Sequence, residues 1–199
     1  MKGCPPVLKT AFRSANVLRT RDLEKHGIWR TKLRHFVDQG NLRRIGRGLY
    51  SLPNTKVGEN HTLAEAGKRV PQAVVCLFSA LRFHGLTTQQ PNEVWLALNG
   101  KARAPKADYL PIRIVRFSGT ALQKGQEKHL IEGVTVRIYN PAKTVADCFK
   151  YRNKIGLDVA LEALREIWRT RQCSISHLMH YARICRVANV MRPYLESLS

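Results

Sequence analysis

The sequence predicts a mixed α/β (α+β) fold in two parts. Apolar residues recur at helical spacing over roughly the first forty positions, and a glycine-rich turn between two short runs follows them. Continuous or alternating apolar runs, typical of strands, then occur between residues 73 and 139, and helical patterns follow again. We therefore expect an N-terminal domain at residues 1–56 and a small α/β domain with a helical C-terminal part at residues 57–199.

Two short helices are predicted first. The apolar face of the first helix consists of Leu8, Ala11, Phe12 and Ala15. The second helix spans residues 21–26, where Thr20 is the expected N-cap and Gly27 supplies the C-terminal stop. The apolar face of the first helix is expected to pack inward.

The third helix is predicted from residue 29 to residue 39, with Gly40 as its stop. Its apolar stripe consists of Trp29, Leu33, Phe36 and Val37, which predicts that Trp29 lies in the core. Its opposite face carries Thr31, Arg34, His35 and Asp38, with Arg30 and Lys32 beside it near the helix start. A helix that reads DNA presents its first residues to base edges, so Arg30, Thr31 and Arg34 are the candidate base contacts.

A β-hairpin with a basic tip follows, because two short runs flank Gly46, Arg47 and Gly48. Three helices followed by such a hairpin predict a winged helix-turn-helix. Arginines in a wing can reach phosphates or a minor groove, and Arg47 at the tip is the best candidate. The predicted DNA-binding residues are Arg30, Thr31, Lys32, Arg34, His35, Arg43, Arg44 and Arg47.

The net charge supports a polyanionic partner. The chain has 34 Lys and Arg residues against 14 Asp and Glu residues, a formal charge of +20, and the basic residues occur in both halves. Basic residues within helical and hairpin patterns indicate a folded surface that faces phosphates. The alternative is that the same residues only solvate the surface of a basic protein.

The second half is predicted to combine a small sheet with helices. Strands are expected at residues 73–76, 94–98, 112–117 and 134–139, and helices at 61–70, 79–84, 141–151, 157–169 and 175–187. The loop at residues 99–111 is basic, with Lys101, Arg103 and Lys106, and either contacts DNA or is simply solvated.

The sequence contains no Walker-type loop, GxSxG elbow or HExxH pair, so no enzyme, cofactor or metal site is expected. The acids are scattered, and the spacing of Lys143 and Asp147 predicts a surface ion pair. One segment, with Cys173, His177, His180 and Cys185, has zinc-ligand residue types. It lacks a CxxC pair, and on a helix its four groups do not converge, which favours buried thiols and surface imidazoles.

Location is predicted from what the sequence lacks. The longest apolar stretch, 73–78, is too short to cross a bilayer, and the N-terminus has no apolar signal core. The five cysteines form no CxxC pair and leave one over, as expected of reduced thiols. We expect a cytoplasmic protein without a membrane partner.

Several stretches together resemble one known family. LRTRDLEKHGIWRTKLRHFVDQGNLRRIGRGLYSLP is similar to the N-terminal winged helix of AbiEi antitoxins from type IV abortive-infection systems. CLFSALRFHGL, VRIYNPAKTVADCFKYRNKIGLDVALEALRE and VMRPYLESL resemble the second domain of that family, so the resemblance covers most of the chain. No single antitoxicity residue can be matched to a motif.

The resemblance implies a function in phage defence. It implies a repressor that binds inverted repeats of operator DNA in its own promoter and counteracts a nucleotidyltransferase-like toxin from the neighbouring gene, without a stable complex. It also implies that the second domain is needed for antitoxicity and adds a basic surface to the DNA contact. Two alternatives stay open: a stand-alone regulator or structural DNA-binding protein without a toxin partner, and an enzyme that acts on nucleic acid.

Overall fold

The computed structural model describes residues 4–105 and 109–198. Helices and strands alternate along the chain, so the mixed α+β class is confirmed. Two compact units are present. The first comprises the described chain up to Pro71, the described part of 105–111, and His129–Val136, and the second comprises the remaining described residues. The predicted domain boundary after residue 56 stays a prediction. Lys106 of the predicted basic loop lies outside the described residues.

The first unit contains a small antiparallel sheet and four helices. Its elements are α1 (Pro6–Ala11), β1 (Leu18–Arg19), α2 (Thr20–Glu24), α3 (Arg30–Asp38), β2 (Arg43–Gly46), β3 (Leu49–Ser51) and α4 (His61–Arg69). The strand order is β1-β3-β2, so β3 is central. Strand β1 was not predicted, because a two-residue strand has too few positions to show alternation.

Apolar side chains from each helix of the first unit are buried as the spacing predicted. Those of the first predicted helix, Leu8, Ala11, Phe12 and Ala15, are at most 8% exposed. The helix itself ends at Ala11, earlier than expected, because the chain turns at Phe12. Leu23 of α2 and Leu33 of α3 are also buried. The described helices of this unit therefore bury between one and three apolar residues each, as is typical of short amphipathic helices.

An ionic cluster holds the start of α4 in the first unit. Nδ1 of His61 lies 2.7 Å from Glu132 Oε2, and its Nε2 lies 3.3 Å from Glu65 Oε1. Glu132 also accepts hydrogen bonds from the Gly58 N–H and the Asn16 amide. Hydrogen bonds to Glu65 and Glu132 outweigh burial and raise the pKa of His61 to about 9. The imidazole is therefore positively charged at neutral pH and links two segments far apart in sequence.

The second unit is built around a mixed sheet. Its elements are β4 (Val74–Val75), α5 (Leu77–Phe83), β5 (Val94–Asn99), β6 (Ile112–Phe117), α6 (Gly119–Gln123), β7 (Gln126–Ile131), β8 (Val134–Tyr139), α7 (Pro141–Lys150), α8 (Arg152–Ile155), α9 (Leu157–Arg169), α10 (Ile175–Ile184) and α11 (Ala188–Glu196). The strand order is β6-β5-β4-β8-β7, and residues 129–136 of the β7–β8 hairpin count with the first unit. All four predicted strands are present, whereas β7, α6, α8 and α11 were not predicted.

Helix α7 is the central helix of the second unit. Every residue from Ala142 to Phe149 is buried, and α5, α9 and α10 pack around it. The prediction that Lys143 and Asp147 form a surface ion pair is therefore wrong: both side chains are 0% exposed, and Lys143 Nζ lies 2.5 Å from Asp147 Oδ2. The spacing gave the correct partners. It could not reveal that neighbouring helices cover the polar side of α7 as well as its apolar side.

The candidate zinc segment does not assemble. The Cys185 thiol points into the core and donates to Asp147 Oδ1 at 3.2 Å, whereas His177 and His180 are exposed. Among the described residues, no group of three or more potential ligands could hold a metal ion. Within the same residues, no helix has the length and apolar character needed to cross a membrane.

Candidate nucleic-acid interface

A tight turn connects α2 to α3. Gly27 has a positive φ of 72°, and the Ile28 N–H donates to the Leu23 carbonyl at 3.1 Å. A glycine in this conformation closes a helix without steric cost, and the following buried residue, Ile28, anchors the turn. The predicted C-terminal stop at Gly27 is confirmed, and the two helices are joined by only a few residues.

Helix α3 exposes nearly all of its polar side chains. Leu33 is its one buried residue, while Phe36 and Val37 are half-buried. The prediction that Trp29 lies in the core is wrong, since its side chain is 60% exposed. Trp29 is the N-cap, with extended backbone angles (φ −79°, ψ 168°), so the helical spacing that aligned it with Leu33 does not apply to it.

The β2–β3 hairpin stands beside α3. Arg44 pairs with Tyr50 and Gly46 with Leu49, and the register shifts between the two pairs, which indicates a bulge at Ile45. Gly48 in the turn has a positive φ of 70°. A bulge increases the local twist of a hairpin.

Hydrogen bonds attach this hairpin to the start of α2. Strand β1 pairs with β3 and aligns Arg19 with Leu49. The Thr20 N–H then donates to the Gly48 carbonyl at 3.0 Å. Both contacts fix the hairpin tip relative to α2, so the hairpin is a supported element rather than an isolated two-stranded ribbon.

A second contact supports the hairpin from another side. The backbone of Gly46 lies directly against the ring of Tyr109, and a Cβ at position 46 would overlap that ring. Gly46 does not have a positive φ, so the close approach of the ring is the reason for glycine here. Tyr109 thus restricts the base of the Arg47 turn. Local sequence patterns do not reveal this contact, because the two residues are far apart in the chain.

Helix α3 and the hairpin together form a groove of 640 Å³. The groove is lined by Thr20, Arg30, Leu33, Arg34, Val37, Asp38, Arg44, Arg47, Gly48 and Tyr50. Its charged residues are four arginines and one aspartate. The aspartate, Asp38, lies 3.9 Å from Arg34 Nε, and both side chains are well exposed, so this ion pair neutralises the groove only weakly. The groove is therefore a cationic surface with two apolar side chains at its base.

The structure brings together half of the predicted DNA-binding residues. Arg30, Arg34, Arg44 and Arg47 all line the groove. Thr31, Lys32 and His35 are exposed on α3 but do not line it, and Arg43 lies on the opposite face of β2, where it pairs with Ser51. The alternation of strand side chains separates Arg43 from Arg44. Whether any of the eight residues contacts DNA stays a prediction.

Some groove residues were missed by the sequence analysis. Tyr50 lies opposite Arg44 in the hairpin and shares its face. The alternation rule could have identified Tyr50 once the register of the hairpin was known. Thr20 was predicted as an N-cap and is instead the first residue of α2, at the end of the groove nearest the hairpin tip.

An ion pair fixes the start of α2, next to the groove. Asp22 accepts hydrogen bonds from the Arg19 N–H at 3.1 Å and from Lys68 Nζ at 3.0 Å. Burial alone would raise the pKa of Asp22, but these two hydrogen bonds outweigh it and hold the pKa below its usual value. Asp22 is therefore committed to local structure and does not add negative charge to the groove.

Comparison with known proteins addresses this region. Residues 7–53 match the model of a family described as transcriptional regulator, AbiEi antitoxin. The resemblance to the AbiEi family is confirmed over residues 7–53. The AbiEi match includes α1 except its first residue, α2, α3 and the whole β2–β3 hairpin, and every residue that lines the groove lies within it. No curated protein matches the chain significantly.

The AbiEi match gives the groove a regulatory context. The family is one of transcriptional regulators with an antitoxin role, and the matched segment contains the groove with its four arginines. The match ends just after β3, so α4 and the second unit lie outside it.

Proposed function

We propose that the protein is a transcriptional autorepressor that binds operator DNA through a winged helix-turn-helix made of α2, α3 and the β2–β3 hairpin. Helix α3 enters the major groove, and the hairpin is the wing. The observation that carries the proposal is the protein groove between α3 and the hairpin, which is lined by four arginines and only one aspartate. Arginines on two rigid elements can contact bases and phosphates of one duplex together.

The geometry favours double-stranded DNA over a generic polyanion. An α-helix with its side chains is about 10–12 Å across and fits the B-DNA major groove, which is about 12 Å wide. Arg30 and Arg34 lie one turn apart on the exposed side of α3, where each can bind a guanine edge with two hydrogen bonds. Arg47 at the wing tip is placed to contact phosphate or a minor groove.

We further propose that the protein is the antitoxin of a type IV toxin–antitoxin system. In this proposal the toxin is nucleotidyltransferase-like, and neutralisation proceeds without a tight toxin complex and without catalysis by this protein. The AbiEi match to a family of antitoxin regulators supports the proposal. We assign DNA binding to residues 1–56 and antitoxicity to residues 57–199, and we place the protein in the cytoplasm, where operator DNA is found.

The first experiment measures specific DNA binding. The full chain is titrated by fluorescence anisotropy against the duplex upstream of its own gene and against a scrambled duplex, at physiological salt. We expect the upstream duplex to bind roughly a thousandfold more tightly, as specific complexes do. Equal binding of both duplexes would mean that the groove binds polyanions without sequence specificity, and it would contradict the repressor proposal.

A second experiment measures antitoxicity. The neighbouring nucleotidyltransferase-like gene is expressed with the full chain, and growth is compared with expression of the toxin gene alone. We expect the full chain to restore growth and a fragment of residues 1–56 to fail. Rescue by the fragment would contradict the assignment of antitoxicity to residues 57–199.

A stand-alone regulator is the second candidate function. The observation in its favour is that the family match covers residues 7–53 and ends before α4. A regulator without a toxin partner would retain specific operator binding in the anisotropy assay and would not affect growth in the antitoxicity assay. The two experiments together therefore separate the two candidates.

A further inference from the structure

Trp29 is exposed on the protein surface, which is unexpected for an aromatic side chain of its size. Of the large apolar residues that the structure describes as exposed, Trp29 is the only tryptophan, and 60% of it is accessible. The other two tryptophans, Trp95 and Trp168, are buried and half-buried. Tryptophan is enriched at recognition surfaces, because one rigid side chain supplies a large contact area with little loss of conformational freedom. Its exposure therefore points to a contact with a partner.

The position of Trp29 indicates which partner. It is the N-cap of α3 and directly precedes Arg30, which lines the cationic groove. Arg30, Thr31 and Lys32 follow as exposed residues, and the first turn of α3 contains no acid. A recognition helix approaches base edges with its N-terminal residues. The positive charge around Trp29 is complementary to the phosphates of DNA.

We propose that Trp29 is a specificity-determining residue that packs its indole against the 5-methyl group of a thymine, adjacent to the bases reached by Arg30. This inference rests on the proposed operator binding and names one feature of the sequence that is read. The thymine methyl is the apolar group that base edges offer in the major groove. The arginines of α3 recognise hydrogen-bonding edges, so an indole beside them adds recognition of a chemically different group.

The test removes only the methyl group. Each thymine of the operator is replaced in turn by deoxyuridine, and affinities are measured by anisotropy for the wild type, Trp29→Ala, Trp29→Phe and Arg34→Ala. At one thymine in each half-site, we expect deoxyuridine to weaken wild-type binding about fourfold, the value for one buried methyl group. Trp29→Ala should bind the thymine operator more weakly and should not distinguish thymine from deoxyuridine.

The other variants sharpen the test. Trp29→Phe retains an aromatic face and should keep part of the thymine preference. Arg34→Ala should lose overall affinity but keep the full deoxyuridine effect, because the two residues contact different groups. Val57→Ala is the matched control, since Val57 is an apolar residue of the same unit with 62% exposure. Its affinities for all duplexes should equal those of the wild type.

The possible failures are distinguishable. If the wild type does not prefer the operator over a scrambled duplex, the proposed function fails, and this inference fails with it. If the wild type prefers the operator but Trp29→Ala shows the same deoxyuridine effect, only the inference fails. If Trp29→Ala loses the same affinity for operator and scrambled duplexes, the indole packs against the sugar–phosphate backbone. If Trp29→Ala keeps the DNA affinity of the wild type, Trp29 contacts a protein partner instead. Both results overturn methyl recognition.

Discussion

Helices α3 and α7 carry the same charge motif in opposite environments. Each places a basic residue four positions before an aspartate. Arg34 and Asp38 on α3 have side chains that are 87% and 68% exposed, and their atoms are 3.9 Å apart. Lys143 and Asp147 on α7 are both 0% exposed, with atoms 2.5 Å apart. Sequence spacing therefore determines which residues form an ion pair, whereas burial by neighbouring elements determines how much the pair contributes to stability.

The buried pair is embedded in a set of specific contacts. Lys143 Nζ lies 4.1 Å from the centroid of the Tyr139 ring and 4.9 Å from that of Phe117, which supplies cation–π stabilisation. The Cys185 thiol donates to the second oxygen of Asp147. Burial raises the pKa of Asp147, and the Lys143 ammonium opposes that rise. The exposed pair on α3 has no comparable surroundings, so the two aspartates should respond very differently to removal.

The largest expected effect comes from breaking the buried pair. Asp147→Ala leaves the Lys143 ammonium buried without its carboxylate, and we expect a loss of about 3–5 kcal/mol in the free energy of unfolding. Urea denaturation followed by circular dichroism measures it. A loss below about 1 kcal/mol would mean that Lys143 reaches water or another partner, in contradiction to its burial. The double variant Lys143→Met with Asp147→Leu should recover most of the loss, because it leaves no unpaired charge.

The second effect concerns DNA binding by α3. Arg34→Ala should weaken operator binding by about 1–3 kcal/mol and weaken binding to random DNA much less, if Arg34 contacts a base edge. Arg43→Ala is the comparison variant, because Arg43 lies on the face of β2 away from the groove and should give a smaller loss. Competition anisotropy on both duplexes measures the difference. Equal losses of Arg34→Ala on both duplexes would identify a phosphate contact instead.

The sequence predicted the elements that have a local cause and missed those that depend on distant residues. The stops at Gly27 and Gly40, the helix predicted over residues 29–39 and the hairpin around Arg47 all follow from nearby residues, and all are present, the helix as Arg30–Asp38. The exposure of Trp29 depends on whether α3 begins at residue 29 or at residue 30, a difference of one residue. The burial of Lys143 and the contact of Tyr109 with Gly46 depend on segments that pack from elsewhere in the chain, which local periodicity cannot reveal.

The same division applies to the groove. Arg30, Arg34 and Arg47 were selected by periodicity and turn position, and the groove contains all three. Arg43 and Arg44 are adjacent in sequence, and only the register of the hairpin separates the residue that lines the groove from the one that does not. A one-residue change in register would exchange their faces, so the sequence alone could not distinguish them.

A third prediction concerns the pH dependence of the first unit. The folded pKa of His61 is about 9, above the ordinary value of 6.5, because Glu65 and Glu132 stabilise the charged ring. Its contribution to stability is fully present below about pH 6.5 and is lost as the pH rises toward about 9. Solvent screens this partly buried cluster and reduces the full value of the shift, so we expect a loss of about 1–2 kcal/mol over this range, measured by urea denaturation at successive pH values. His61→Gln should flatten the profile, and an unchanged slope in that variant would contradict the assignment.

A smaller effect is expected for the wing tip. Arg47→Ala should reduce the slope of log affinity against log salt concentration by about one, because one phosphate contact fewer releases one counterion fewer. Titrations at several salt concentrations on the operator duplex measure the slope. An unchanged slope would exclude Arg47 from contact with phosphate and would restrict the DNA interface to α3.

The smallest effect should come from the exposed aspartate, and it completes the comparison with α7. Asp38→Ala removes the acid of the same charge motif, but solvent screens the Arg34–Asp38 pair, so the free energy of unfolding should change by less than about 0.5 kcal/mol. DNA affinity should rise slightly on operator and random duplexes alike, because the groove loses its one negative charge next to four arginines. Urea denaturation and anisotropy measure the two quantities. A stability loss comparable to that of Asp147→Ala would mean that spacing alone, and not burial, sets the strength of these pairs.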